Sequence, residues 1–348
     1  MRKNLKFVAL KNGYVFNGEK IYVQSMLNVP SKDVKANILQ AKALKEAGCE
    51  ILRVAVPSCE DSVLVSALKK EISCPIVADI HYDHFAAIEA IKAGADKIRI
   101  NPGNMTKDQL KEVAKYCKNF NVPIRIGVNS GSLEKQLLKK YGGPTVDALV
   151  YSAIKTVNMF EEEFNFFDIV VSIKASDVVK TVMACRKFRK LANNPLHIGV
   201  TEAGIKEFSI VKSSIGIGSL LLDSIGETLR VSITANPIEE IKAGHAILKA
   251  LNLEKKGVEI ISCPTCGRTK IDIIGLTTKV KHKLSGVKKN IKIAIMGCVV
   301  NGPGEAKDAD IGIAGGDLVG VIFKKGKVLY KVKEEEILNV LLKEIEKM

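Results

Sequence analysis

From Ile21 to Leu251 the chain alternates short runs rich in Val and Ile with longer stretches whose apolar residues recur at helical spacing. The β-like runs are IYVQSM, ILRVAV, PIVADI, DKIRIN, PIRIGVN, FDIVVSIK, LHIGVT and ETLRVSIT. Between them the pattern predicts helices over 33–47, 60–71, 83–93, 106–118, 146–162, 176–191, 207–222 and 237–250. Ala47-Gly48, Ala93-Gly94 and Val122-Pro123 punctuate these segments where strands should begin. Eight strands with a crossover helix each is the count of a (β/α)8 TIM-type barrel. A doubly wound open sheet competes, but no glycine-rich dinucleotide turn follows the first strand. The IGIG at 215–218 reads as a place where a helix comes close to its neighbours.

The pattern changes after LNLEKKG at 251–257. A strand, a Cys-x-x-Cys pair, a helical stretch, the run IKIAIMG and a glycine-rich loop follow. A hairpin over Lys325-Gly326 and a terminal helix from about 334 close the chain. The expected division is a barrel over 1–257 and a smaller α+β domain over 258–348. The Lys/Glu runs 331–336 and 343–347 read as solvated helix faces.

Residues i and i+2 of a strand share one face. Six runs carry polar residues on one such face, two or four apart: Asp79 and His81; Arg99 and Asn101; Arg125 and Asn129; Ser172 and Lys174; His197 and Thr201; Arg230 and Ser232. Arg53 is placed similarly in ILRVAV. Helices cover the outside of a barrel, so the Ile/Val set should face outward and the polar set inward. Barrel interiors are usually filled by bulky branched side chains. Here four arginines and a lysine would share the lumen. Internal salt bridges to Asp79, Glu202 and other acids would satisfy single arginines, but the same face offers too few carboxylates for all. A multiply charged anion at the C-terminal mouth balances the set, and arginine forks suit phosphate oxygens. His81 beside Asp79 reads as a polar contact or proton donor, whereas His197 alone fits a core histidine bonded to backbone.

Hydrophobic residues make up 47% of the 348, enough for a sizeable core. Aromatics are only 5% and Trp is absent, so aliphatic side chains must fill that core. Few aromatics also argue against base-stacking binding of single strands. The net charge of +15 fits an anionic substrate, an acidic partner, nucleic acid or simply a lysine-rich background. The opening MRKNLKFVALKNGYVFNGEK shows no sustained apolar run and no small-residue cleavage site. Neither a signal peptide nor the ~18 apolar residues of a membrane span is expected. Eight cysteines in such a chain predict reduced thiols and a cytoplasmic location. Of these, Cys49, Cys59, Cys74, Cys117 and Cys185 are isolated and read mostly as small buried hydrophobes.

Cys263, Cys266 and Cys298 are spaced C-x2-C-x31-C and need a fourth partner to close a tetrahedral site. His282 lies midway and would complete a structural zinc set, making a zinc ribbon with a basic, nucleic-acid-binding surface one reading. However, His282 sits in the basic stretch TTKVKHKLSG, and Cys298 is followed by the tight loop NGPGE. Backbone N–H groups brought near a sulfur tune iron–sulfur clusters. Glu305, separated from Cys298 by six residues, is a second candidate fourth ligand. A barrel enzyme acting on a phosphate ester with a merely structural metal is a further alternative.

The motifs QSM, VADIH, IRINPGN, IRIGVNSGSLE, SIKASD, HIGVTEAG, KSSIGIG, LRVSIT, ISCPTCGRT, IMGCVVNGPGEA and IGIAGG span essentially the whole chain. In these the sequence resembles the 4-hydroxy-3-methylbut-2-en-1-yl diphosphate synthase family, in its bacterial two-domain form. The resemblance implies a barrel followed by a [4Fe–4S] domain, with the cluster on Cys263, Cys266, Cys298 and Glu305. It implies reductive opening of 2-C-methyl-D-erythritol 2,4-cyclodiphosphate to (E)-4-hydroxy-3-methylbut-2-enyl diphosphate. Reduced flavodoxin or ferredoxin would donate the electrons, and a homodimer would let one subunit's cluster domain cap its partner's barrel. With strand parity, it assigns the substrate to Arg53, Arg99, Asn101, Arg125, Asn129, Lys174, Lys212, Arg230 and Ser232. Asp79, His81 and Glu305 are the expected catalytic groups. A carboxylate is harder and more readily displaced from iron than a thiolate, which would make Glu305 an exchangeable corner. One loop departs from the family: SMLNVPSKD stands where SMTNTxT is usual, with Leu27 and Val29 replacing hydroxyl residues.

Overall fold

A computed structural model describes residues 5–255, 257–287, 289–299 and 306–348. The chain divides into two units, Met1–Leu253 and Glu254–Met348. Eight parallel strands of the first unit follow one another around a sheet: β3 (Tyr22–Met26), β4 (Ile51–Ala55), β5 (Ile76–Asp79), β6 (Lys97–Ile100), β7 (Ile124–Asn129), β8 (Ile169–Lys174), β9 (His197–Ile198) and β10 (Thr228–Leu229). β10 pairs with both β3 and β9, and an isolated parallel bridge between Val171 and Leu196 joins the two ends. The barrel of the sequence reading is thus present.

Its helices begin where the sequence offers caps. Asp33, Asp83, Thr106, Thr145, Asp177 and Asn236 each set a side-chain oxygen on a first-turn N–H. The helices are α1 (Val34–Glu46), α2 (Ser62–Glu71), α3 (His84–Lys92), α4 (Lys107–Asn119), α5 (Lys135–Tyr141), α6 (Val146–Asn158), α7 (Val178–Leu191), α8 (Lys206–Leu222) and α9 (Pro237–Ala250). The outward strand residues, among them Leu52, Val54, Ile98, Ile100, Ile126 and Ile173, pack with these helices in one large core. Gly216 of the IGIG run allows a close approach, since a Cβ there would lie 2.7 Å from a Val200 methyl.

Several elements differ from expectation. LHIGVT and ETLRVSIT form strands of only two residues; just beyond them the two backbones approach closely, and a Cβ on Gly199 would sit 2.4 Å from the Arg230 carbonyl oxygen. The helix expected over 146–162 ends at Asn158 and continues as a π-helical turn, Met159–Glu163. Helix α5 was not foreseen. Neither was a hairpin of two-residue strands, β1 (Val8–Ala9) and β2 (Val15–Phe16), too short to show a period. Val8, Leu10 and Phe16 of that hairpin pack with Ile51, Val77 and Val170, the lowest inward residues, and form the barrel floor.

In the second unit, β11 (Val258–Ser262), β12 (Ile291–Met296) and β13 (Ile311–Gly315) run parallel. β14 (Val319–Lys324) and β15 (Lys327–Lys333) add an antiparallel hairpin. Its turn, Lys325-Gly326, has both φ angles positive, as tight hairpins favour. β13 and its place between β12 and the hairpin were not read from the sequence. Alternate residues Ile291, Ile293 and Ile295 face helices α10 (Ile273–Lys283) and α11 (Ile337–Glu346). Ala294 and Met296 face the other way, with Ala306, Ala309 and Phe323. Residues 331–333 complete β15 and 334–336 form a single 3-10 turn, so the first Lys/Glu run is not a helix face.

Candidate active site in the barrel and cysteine site in the second unit

Parity along the strands puts Gln24, Arg53, Asp79, Arg99, Arg125, Asn129, Lys174 and Arg230 into the lumen, opposite the apolar set that packs with the helices. Asp79, at the end of β5, is the hub. It accepts Arg53 Nη2 at 2.7 Å and His81 Nε2 at 3.1 Å on one oxygen, and Arg99 Nη1 at 3.2 Å on the other. Burial by itself raises the Asp79 carboxyl. Arg53, the bond to His81 and Arg99 together outweigh it and hold the group well below the usual carboxylate range. Asn129, its amide oxygen turned toward Arg99, accepts from Nη2 at 3.1 Å.

Two glycines on inward positions make room for cations. A Cβ at Gly127 would lie 2.5 Å from Arg99 Nε, and one at Gly199 would lie 3.0 Å from Lys174 Nζ. Arg230, above β10, is gripped by Glu240 through Nε and Nη2, each at 3.0 Å. Arg125 and Lys174 have no ion pair among the described residues, and Arg125 Nε and Nη1 are buried without a hydrogen-bond partner. Burial, then the Arg53 and Arg99 charges, press the Arg125 guanidinium well below its ordinary value. Burial, then Arg125 and Arg230, do the same to Lys174. A guanidinium keeps its proton near neutrality, so the unbalanced charge calls for a counter-anion.

The remaining predicted residues lie on or near the rim. His81 is exposed at the end of β5. Asn101 is engaged locally, donating to Ser132 Oγ at 2.7 Å and accepting Gly103 N–H at 3.1 Å, and so ties two rim loops together. Lys212 Nζ, from α8, lies 3.4 Å from the carbonyl of Ser176, just beyond Lys174. Ser232 is half-buried, and its carbonyl accepts from Ser209 Oγ. Glu202, invoked as an internal ion-pair partner, is exposed, with a positive φ of 50°. His197 is a core histidine, as read, but Nδ1 meets the Thr228 hydroxyl at 2.8 Å rather than backbone.

Three lumen residues were missed. Lys97 shares parity with Arg99 and is fully buried, its Nζ 4.5 Å from the centre of the Phe16 ring; the i, i+2 rule already pointed to it. Gln24 obeys the same rule on β3, and both its amide atoms are buried without partners among the described residues. Glu240 left no such signal, because it belongs to a helix and reaches its arginine from outside the strand pattern.

In the second unit, Cys263 follows β11 and Cys298 follows β12 by one residue, at the same end of adjacent parallel strands. Gly297 N–H donates to Cys263 Sγ at 3.2 Å, which joins the two segments. Cys266 is exposed; the backbone N–H of Arg268, with lesser help from Thr269, holds its thiol below the ordinary value despite some desolvation. Thiolates beside a backbone N–H donor, as at Cys263, suit a soft metal or an iron–sulfur cluster. Among the described residues no group of three or more His, Cys, Asp or Glu side chains forms a metal site. Glu305, the predicted fourth ligand and a predicted catalytic group, lies outside the described residues. His282, the alternative fourth ligand, does not fit: α10 crosses back between parallel β11 and β12, which puts its last turn at the sheet end opposite the cysteines. The helix spans about 1.5 Å per residue, so eleven residues separate the two ends by roughly 16 Å. Of the other cysteines, Cys49, Cys74, Cys117 and Cys185 are buried; Cys59 is half-buried, with Sγ 3.7 Å from Asp83 Oδ2.

The model of the GcpE TIM-barrel domain matches residues 6–245, and that of the GcpE protein C-terminal domain matches 259–347. A 4-hydroxy-3-methylbut-2-en-1-yl diphosphate synthase (flavodoxin) of Caldanaerobacter subterraneus subsp. tengcongensis is 53% identical over 349 residues, covering 100% of this chain and 98% of that protein. Its namesake in Fusobacterium nucleatum subsp. nucleatum is 51% identical, covering 99% of this chain and 98% of that protein. Among solved structures, the dihydropteroate synthase of Stenotrophomonas maltophilia matches with a TM-score of 0.50 at 15% identity. It covers 69% of this chain and 98% of that one, a likeness of fold alone.

Proposed function

This chain belongs to the GcpE family, and from that premise we propose that it opens 2-C-methyl-D-erythritol 2,4-cyclodiphosphate reductively to (E)-4-hydroxy-3-methylbut-2-enyl diphosphate. Two electrons enter and a hydroxyl leaves as water. The observation that carries the reading is the charge imbalance of the barrel. Arg53, Arg99, Arg125, Lys174, Arg230 and deeper Lys97 face only Asp79 and Glu240 as lumen-reaching carboxylates among the described residues. A diphosphate supplies the missing negative charge.

In this reading Arg125 and Lys174 carry the charge-neutralising contacts, because no carboxylate among the described residues pairs with them. Arg53 and Arg99 are held in place by Asp79 and offer their remaining N–H groups. Asn129 and Asn101 orient the carbon skeleton, while Lys212 and Ser232 close the rim. His81, exposed and bonded to Asp79, would hand a proton to a departing oxygen. Cys263, Cys266, Cys298 and Glu305 would hold a [4Fe–4S] cluster, which supplies the electrons when bound. The donor would be a reduced flavodoxin or ferredoxin, whose acidic surface the net charge of +15 favours.

The active form would be a homodimer. Phe208, Val211, Ile215 and Leu222 form an exposed apolar stripe along α8 that a second subunit would cover. A cytoplasmic location suits eight unpaired cysteines, and no described helix is long and apolar enough to cross a membrane.

Anaerobic purification followed by iron, sulfide and zinc analysis, with turnover of the cyclic diphosphate under a reduced flavodoxin, tests the proposal. About four irons and four sulfides per chain, a brown colour and reductant-dependent product are the expected results. Stoichiometric zinc, or product formation without reductant, would end it.

A further inference from the structure

Neighbouring acids at the start of α9 have different surroundings. Glu239 reaches outward to Lys206 and Lys242 at 2.6 and 2.8 Å. Glu240, one residue and about 100° further round the helix, is buried and turns toward the barrel. Its Oε2 accepts Arg230 Nε at 3.0 Å and Ser25 Oγ at 3.2 Å; its Oε1 accepts Arg230 Nη2 at 3.0 Å and Ile233 N–H at 3.3 Å. The four bonds join three segments: the end of β3, the strand-to-helix loop after β10, and α9. Near the N-terminus of α9 the carboxylate also sits in a favourable helix field.

The side-on fork of Arg230 is therefore fully engaged, and its charge is compensated within the protein. Nη1 remains, 3.6 Å from the sulfur of Met26, an inward residue of β3. An arginine gripped along one edge has few ways to turn, so its free edge faces one direction before any ligand arrives.

We propose that Glu240 is a positioning residue for substrate binding: it fixes Arg230 so that only its Nη1 edge meets the anionic substrate. The inference rests on the reading of the barrel as a diphosphate site. Glu240 itself touches no substrate. Arg230 then acts as a directional hydrogen-bond donor, while Arg125 and Lys174 provide the bulk charge attraction. Ser25 extends the arrangement to the loop carrying Leu27 and Val29, so one carboxylate sets both the arginine and the root of that loop.

A double-mutant cycle on the full cluster-loaded chain tests this, reading the dissociation constant of the cyclic diphosphate by anaerobic calorimetry. Glu240→Gln should weaken binding about tenfold and Arg230→Ala by at least that much. Glu240→Gln/Arg230→Ala should bind no more weakly than Arg230→Ala alone, because a positioning residue has nothing left to position. Additive losses, or a Glu240→Gln protein that melts and binds like wild type, would overturn the proposal. If the Gln variant fails to fold, Glu240→Asp keeps the charge and shortens the reach; it should still raise the dissociation constant, and wild-type binding would equally overturn the idea. A wild-type chain that binds no cyclic diphosphate would instead defeat the underlying reading of the site.

Discussion

Gly127 lies directly beneath the Arg99 guanidinium: a Cβ at position 127 would stand 2.5 Å from Nε and 2.9 Å from Nη2. The absence of a side chain on β7 is what lets an arginine on β6 lie across the lumen and reach Asp79. Gly127→Ala should displace Arg99 from both Asp79 and Asn129 while the outer core, which it does not touch, stays intact. The expected outcome is a fall in kcat/KM of tenfold or more, about 1.4 kcal/mol, with nearly unchanged far-UV dichroism. Steady-state kinetics beside a thermal melt checks it.

Asp79 is ionised and buried among cations, and its folded pKa lies below the unfolded value of about 3.9. A depressed carboxylate stabilises the fold above the unfolded pKa, and that contribution is lost as pH falls through the folded one. Asp79→Asn should therefore cost about 3–5 kcal/mol at neutral pH. The gap to wild type should narrow below about pH 4. Denaturant unfolding at pH 7 and at successively lower pH measures both.

Arg125 serves binding at the expense of the empty fold. It is 2% exposed, lacks an ion-paired carboxylate among the described residues and is repelled by Arg53 and Arg99. Arg125→Met, of similar length and without charge, should raise the melting temperature of the ligand-free protein. It should weaken binding of the cyclic diphosphate about a hundredfold, as loss of a buried charge pair does. A variant that loses stability and keeps affinity would contradict that division.

Glu305→Ala separates holding a cluster from using one. With Cys263, Cys266 and Cys298 intact, iron content and visible absorption should persist, while turnover should fall by orders of magnitude. Full activity in that variant would remove the exchangeable role of the carboxylate.

Much of the lumen was legible because strand parity is rigid: once Ile98 and Ile100 face the helices, Arg99 must face inward, and Lys97 with it. Lys97 went unread although the same rule covered it, since a lysine opening a strand resembles a solvated end. The rim was harder. Asn101 and Ser132 are 31 residues apart and meet only because neighbouring strands deliver their loops to one edge. The β1–β2 hairpin carried no periodicity at all, and Phe16 became a floor residue only once a barrel existed to be closed.

By itself the sequence determined the alternation of strands and helices, the helix starts and the inward set of cations, since periodicity and capping are local properties of the chain. It also carried three cysteines spaced C-x2-C-x31-C, a candidate ligand set. Only the tertiary structure decided which charges are compensated. Asp79 serves two arginines, Glu240 reaches Arg230 from a helix, Glu202 points to solvent, and His282 is carried away from the cysteines by a crossover helix. Charge pairing depends on distances between segments remote in sequence, and no period along the chain encodes those.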